Sequence, residues 1–345
     1  MNKTNKILLC VFNTKTSYTI LYIVLLKMNI LTTIFIFLFI LFLYIHIIHQ
    51  LKRSEDLEIY EMDYSTNANL QEVCDLKQPV LFDYQSINPE YFENINYDSI
   101  KNITSNVDIK VKESNDYWSE TNQIDYVLLP VQSIINLTHS DTHSNYFTEN
   151  NDEFVAESGL SKHYHTNDYY LKPTMTAITK YDINFGSKGV CTPLRYHTNY
   201  RHFILVNSGK IKVKMTPWKS KKYLYPVKDY ENYEFRSPVN VWKTQQKYLH
   251  EMDKLRFLEF DVNAGYLLYV PPYWWYSISY SNDVDTLVSC ITYNSIMNCA
   301  INLPHWGLYY LQQHNIKPRI SKTLPVVNSS VDNNIDDEND AGTEL

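Results

Sequence analysis

The chain has 345 residues, a formal net charge of −7, 44% hydrophobic residues and only seven glycines. It is long enough to bury a core in one or two domains. It has too few glycines for a glycine-rich phosphate loop, and outside an acidic tail it is too nearly neutral for a nucleic-acid footprint, so no nucleic-acid partner is expected. None of its five cysteines forms a Cys-x-x-Cys pair, which argues against a structural zinc site and a disulfide framework.

Residues 1–28 read as an upstream extension, because Met28-Asn29 offers a second start immediately before the first strong signal. Its apolar stretch, 7–26, is interrupted by Asn13 and Lys15. Residues 29–49, NILTTIFIFLFILFLYIHIIH, carry no charge and match the roughly twenty residues needed to span a bilayer. No small-x-small cleavage site follows, so the run reads as a single-pass anchor and a membrane location is expected. The two starts predict opposite orientations. Lys3, Lys6, Lys15 and Lys27 before the span hold the domain out of the cytosol, whereas Lys52 and Arg53 alone hold it in.

Residues 50–73 are polar and mixed in charge, which suggests a stalk. The domain is expected over 74–314. Short apolar runs at Val80–Phe82, Val107–Val111 and Tyr126–Val131 alternate with turns, Tyr91–Ile100 suits a short helix, and 136–153 reads as a surface loop. His163 and His165 share one face if the segment is a strand. From Tyr169 onward strand signals dominate: Thr174–Tyr181, Phe203–Val206, the alternating Lys210–Met215, Leu255–Val262, Tyr266–Val270, Trp274–Tyr280 and Thr286–Tyr293. Asn207-Ser208-Gly209 reads as a hairpin turn between two of them. Leu303–Gln313 suits a closing helix. Residues 315–345, with six acids against one base from Ser321, read as an acidic disordered tail.

Two segments carry a resemblance. Residues 263–278 run Asn-Ala-Gly-Tyr-Leu-Leu-Tyr-Val-Pro-Pro-Tyr-Trp-Trp-Tyr-Ser-Ile, a Gly turn, an apolar strand, a Pro-Pro corner and a Trp pair. Residues 192–217 begin Thr192-Pro193-Leu194-Arg195-Tyr196-His197 and continue through an apolar strand, Gly209, a basic strand and Pro217. Together they resemble the JmjC-related, cupin-like 2-oxoglutarate oxygenases. The resemblance implies a mainly β fold, a double-stranded β-helix or jelly roll, with a few flanking helices beside the N-terminal transmembrane helix. It also implies that residues 195, 197 and 276 meet in one site.

At those three positions the family's iron ligands are replaced. Arg195 stands for the first histidine, His197 for the carboxylate and Tyr276 for the second histidine. The usual 2-oxoglutarate lysine falls at Ile211, between Lys210 and Lys212. A facial Fe(II) site needs two imidazoles and a carboxylate, and a guanidinium offers a metal no lone pair. The expectation is therefore a non-catalytic binding or structural protein with no cofactor and no catalytic residue, His197 being the one weak metal candidate. The alternative is an Fe(II)/2-oxoglutarate hydroxylase with altered ligands. A third reading is an anion- or sugar-binding module using Arg195, Arg201, Lys210, Lys212 and Trp275. The expected partners are the membrane, through 29–49, and an unknown protein or small acidic ligand.

Overall fold

In a computed structural model, the residues described are 30–103, 107–119 and 124–315. The upstream extension and the acidic tail lie outside them. The first element is an apolar helix, Ile30–Leu51, none of which is buried. It is long and apolar enough to cross a membrane, with a mean hydropathy of 2.6.

The expected stalk is largely part of the fold. Strand β1 (Tyr60–Glu61) pairs in parallel with β2 (Val80–Asp83), and the helix Asn67–Cys74 between them buries Leu70 and Cys74 completely. Thr66 caps that helix by accepting from the amide of Asn69. The chain then runs through β3 (Ile109–Glu113), β4 (Tyr126–Leu129), β5 (Tyr146–Thr148) and β6 (Thr176–Phe185). It continues through β7 (Arg195–Tyr196), β8 (Arg201–Ser208), β9 (Lys210–Thr216), β10 (Val227–Asp229) and β11 (Glu234–Arg236). The last strands are β12 (Leu258–Asn263), β13 (Tyr266–Val270), β14 (Trp275–Tyr280) and β15 (Leu287–Ser295), before a closing helix, Ile296–Asn315.

These strands form three open sheets. The first has the order β1-β2-β13-β8-β15-β6, the second β10-β11-β7-β14-β9-β12, and a small third one β4-β3-β5. The mainly β, jelly-roll expectation is therefore corrected. Helix makes up 38% of the described residues and strand 28%, and no sheet closes or curls. Much of the difference lies before β6. There the helices Val131–Ser140, Asp152–Glu157, Ser161–Thr166 and Asp168–Leu171 replace much of the expected turns and loop, while Pro89–Asn94 and Tyr97–Lys101 fall in the segment expected as one short helix. Most of them are too short to show a helical period in the sequence. His163 and His165 lie on one of them, so the strand spacing assumed for them does not apply.

Both faces of the first sheet are covered, which is why every residue of β15 is buried. On one face Phe203, Leu205, Leu267, Tyr269, Ile291 and Tyr293 pack with helix residues such as Leu70, Tyr91, Phe154 and Tyr164. On the other, Ile204, Val206, Leu268, Val270 and Val288 meet Ile211, Val213, Met215, Tyr276 and Ile278 of the second sheet. The outer face of the second sheet is covered by the 217–257 excursion, through Leu224, Phe235 and Val241 against Trp275.

Gly209 is not a hairpin turn. It joins β8 of the first sheet to β9 of the second, with φ +75°. Gly265 makes the return crossing from β12 to β13 at φ +89°. Pro271 and Pro272 end β13, as residues without an amide donor should.

The two glycines are not equivalent. A Cβ at Gly209 would meet the Asp285 carbonyl at 2.6 Å and Thr286 Cα at 2.9 Å, both backbone. At Gly265 the closest atom is the end of the Gln85 side chain. Left-handed backbone costs an L residue roughly 1–2 kcal/mol. Gly265→Ala should lose about that much in denaturant unfolding, and Gly209→Ala clearly more. Equal losses would contradict the sheet-crossing geometry at Gly209.

Candidate functional site

A cavity of about 590 Å³ opens between the first and second sheets, with part of the small third sheet along its wall. It is lined by Arg195, His197 and Tyr276, the three positions that the sequence singled out. Their convergence is set by backbone pairing. Arg195 on β7 is the cross-strand partner of Tyr276 on β14, and its guanidinium carbon lies 5.8 Å from the Tyr276 ring centre. The His197 ring lies 6.2 Å from that ring and 4.8 Å from the ring of His202, which β8 brings in from the opposite sheet.

The charges in the cavity form a buried quartet. Glu149, one residue beyond β5, is bonded by Arg195 and by Lys112 of β3, the latter at 2.7 Å. Lys112 also bonds Glu234 of β11. Lys112, Glu149 and Glu234 are each no more than 6% exposed. The Tyr117 hydroxyl donates to Glu234 at 3.3 Å. Two cations and two carboxylates thus neutralise each other across three strands of two sheets and the residue after a fourth. A buried ion survives only when it is paired in this way.

The carboxylates differ. Burial pushes Glu149 up, but Arg195 and Lys112 outweigh it and hold the group at about 2. Burial raises Glu234, and Lys112 offsets this only in part, while the Glu149 charge adds to it. Asp182, on the same cavity wall, is raised by burial to about 6 although the amides of Asn150, Asn151 and Ile183 bond it.

The imidazoles are held neutral. Burial lowers His197 to about 4, with the Val270 carbonyl opposing and the Arg195 charge adding. His197 Nε2 donates to that carbonyl at 3.0 Å, which fixes the tautomer. His202 is lowered further by burial, then by His197 and Arg195. Its Nδ1 lies 3.0 Å from Thr292 Oγ1 and its Nε2 3.5 Å from the Tyr276 hydroxyl. Burial lifts that hydroxyl to about 12, so it stays protonated.

Iron does not fit this donor set. Arg195, at the position that the resemblance gives to the first ligand, is a cation bonded to the carboxylate beside it. His197 bonds through Nε2 and His202 through Nδ1, which leaves the buried Nδ1 of His197 as a lone unpartnered nitrogen. Among the described residues no group of three or more His, Cys, Asp or Glu side chains could hold a metal ion.

The other candidates lie elsewhere. Arg201 points to the far face of the first sheet, fully buried, and donates to Asp75 at 2.6 Å and to Gln71. Lys210 and Lys212 are exposed on the second sheet and bond Asp261 and Glu259 of β12 at 2.7 and 2.5 Å. Ile211 between them is buried in the core. Trp274 and Trp275 alternate faces as a strand requires, yet both are buried, so Trp275 presents no surface for stacking on a sugar.

Lys112, Glu149 and Glu234 were not visible as site residues. Glu149 sits in the polar run that reads as a loop, and its partners lie 37 and 46 residues away. The strand itself gave no signal: in Ile-Lys-Val-Lys-Glu, Lys110 and Lys112 alternate with apolar residues and read alike as facing solvent. Comparison with models of known families and with curated proteins finds no match.

Two predictions follow from the quartet and the imidazoles. Glu149→Gln strands Arg195 and leaves Lys112 with Glu234 alone, and should cost about 3–5 kcal/mol in unfolding free energy. Glu234→Gln should cost less, because Lys112 keeps Glu149. The reverse order would overturn the assignment of Glu149 as the hub.

The second concerns acid. The unfolded chain takes up protons on histidine near 6.5, whereas folded His197 does not until about 4. Stability from its neutral form is therefore complete above pH 6.5 and is lost as pH falls toward 4. Each unit of separation is worth roughly 1.4 kcal/mol. The thermal midpoint should fall across this window, and fall less steeply in His197→Asn. Identical slopes would remove His197 from the account.

Proposed function

We propose that the protein is a membrane-anchored, non-catalytic binding protein, related to the 2-oxoglutarate oxygenases by the 192–217 and 263–278 segments but without their metal chemistry. The observation that carries this reading is the Arg195–Glu149 pair. It puts a permanent cation, already neutralised, at the position that the resemblance gives to the first iron ligand.

The cavity remains open to a ligand. The quartet is balanced internally, which disfavours a free anion there: any added charge must compete with a carboxylate already bonded to Arg195 and Lys112. Thr192, Thr198, Asn199, Asn232, Asn294 and Tyr233 also line it. Neutral hydrogen-bonding groups of this kind suit a small, neutral or zwitterionic polar molecule. The anchor is the helix Ile30–Leu51. Its twenty-two uncharged residues, with no small-x-small site after them, support an anchor over a cleaved signal.

Metal analysis of the full-length protein, coupled to a 2-oxoglutarate decarboxylation assay, tests the reading. The expected result is no stoichiometric iron and no turnover, with metal affinity appearing in the triple variant Arg195→His, His197→Asp, Tyr276→His. Near one equivalent of iron with turnover in the unsubstituted protein would make it an oxygenase.

A further inference from the structure

The closing helix, Ile296–Asn315, has its polarity inside out. It contains no Asp, Glu, Lys or Arg. Four of its polar residues bond to the domain, while Gln312, His314 and Asn315 at its end are exposed. Asn298 and Asn302 are buried and donate to the Thr198 carbonyl at 2.9 and 3.2 Å. His305 Nδ1 lies 2.9 Å from the Tyr230 hydroxyl, and Gln313 donates to the Glu231 carbonyl. Several apolar residues are turned to the surface: Ile296, Leu303, Leu308 and Leu311 are between 47% and 64% exposed, as is Tyr310 at the cavity rim. In water a surface helix of a folded domain has the opposite arrangement.

The surroundings of this helix identify what covers it. It packs against the apolar helix Ile30–Leu51. The end of that apolar helix is held on the domain, with His49 3.8 Å from Asp75. Just beyond it Arg53 lies over the Trp218 and Tyr273 rings, at 4.5 and 4.1 Å, and Lys219 donates to the Glu55 carbonyl. The domain is therefore held at the bilayer rather than on a free tether. Outward Leu and Ile, with Tyr309 and Tyr310 toward the end of the helix, beside a membrane span match the apolar and aromatic residues found at the lipid–water boundary.

We infer that Ile296–Asn315 lies in the membrane interface beside the anchor, its apolar face in the lipid. This rests on the anchor reading of Ile30–Leu51. Trp306, Tyr309, Tyr310 and Gln313 also line the cavity, so the cavity opens beside the bilayer surface.

Spin labels on the full-length protein in phosphatidylcholine nanodiscs test this. Cys10, Cys191 and Cys299 are replaced by serine, and single labels are placed by Leu38→Cys in the anchor, Leu311→Cys on the helix and Tyr169→Cys as an aqueous control. The expected result is that Leu38 and Leu311 labels are relaxed several-fold more by oxygen than by an aqueous nickel chelate, and the Tyr169 label the reverse. A lipid-exposed label at 38 with a water-exposed label at 311 overturns the inference and leaves the anchor reading standing. Labels at 311 shielded from both reagents and dipolar-coupled between copies make the face a self-association surface and also overturn it. A water-exposed label at 38 removes the anchor reading and this inference with it.

Discussion

Two buried carboxylates, Glu149 and Glu234, tie the second sheet to the small third one, with Glu149 as the hub. Glu149 accepts from Arg195 on β7 and from Lys112 on β3, and Lys112 passes the connection on to Glu234 on β11. Three of the charges are buried and Arg195 is partly so, none is well tolerated alone, and the four together are neutral. The arrangement fixes the wall of the cavity, sets a cation beside His197 and His202, which burial keeps neutral, and takes up the carboxylate bonded to Arg195. Whatever the cavity binds meets a quartet whose charges are already paired.

Much of the second half of the chain was legible. Period-two alternation placed β9, and the Gly and Pro positions placed the ends of β13. The motif pair predicted that residues 195, 197 and 276 meet, and β7–β14 pairing brings them together. The resemblance misled on the architecture, because it weighted strand signals and the short helices between 67 and 171 carry little periodic signal. Asn207-Ser208-Gly209 has the chemistry of a hairpin, but local turn chemistry is silent on whether the next strand pairs with its predecessor or crosses to another sheet. The quartet was hidden for a related reason: its members come from four separate segments, and sequence shows no long-range pairing of charges.

Two inversions of ordinary polarity organise the molecule. Charged groups lie inside, at the cavity, and apolar groups lie outside, on the closing helix. Each is costly in water unless matched, the first by ion pairing and the second by burial in another apolar medium. The two are close together, with the same helix lining the cavity and packing on the apolar N-terminal helix. On the proposed anchor reading, that places the polar cavity beside the bilayer, which suits a protein that holds a ligand there.

The central claim is that Glu149 and Arg195 act as one unit. A double-mutant cycle with Glu149→Gln and Arg195→Met, read by denaturant unfolding, measures this directly. The account predicts a coupling of about 2–3 kcal/mol, with the double variant more stable than Glu149→Gln alone, since removing both charges leaves fewer of them stranded. Additivity to within about 0.5 kcal/mol would contradict it and leave Arg195 without its assigned partner.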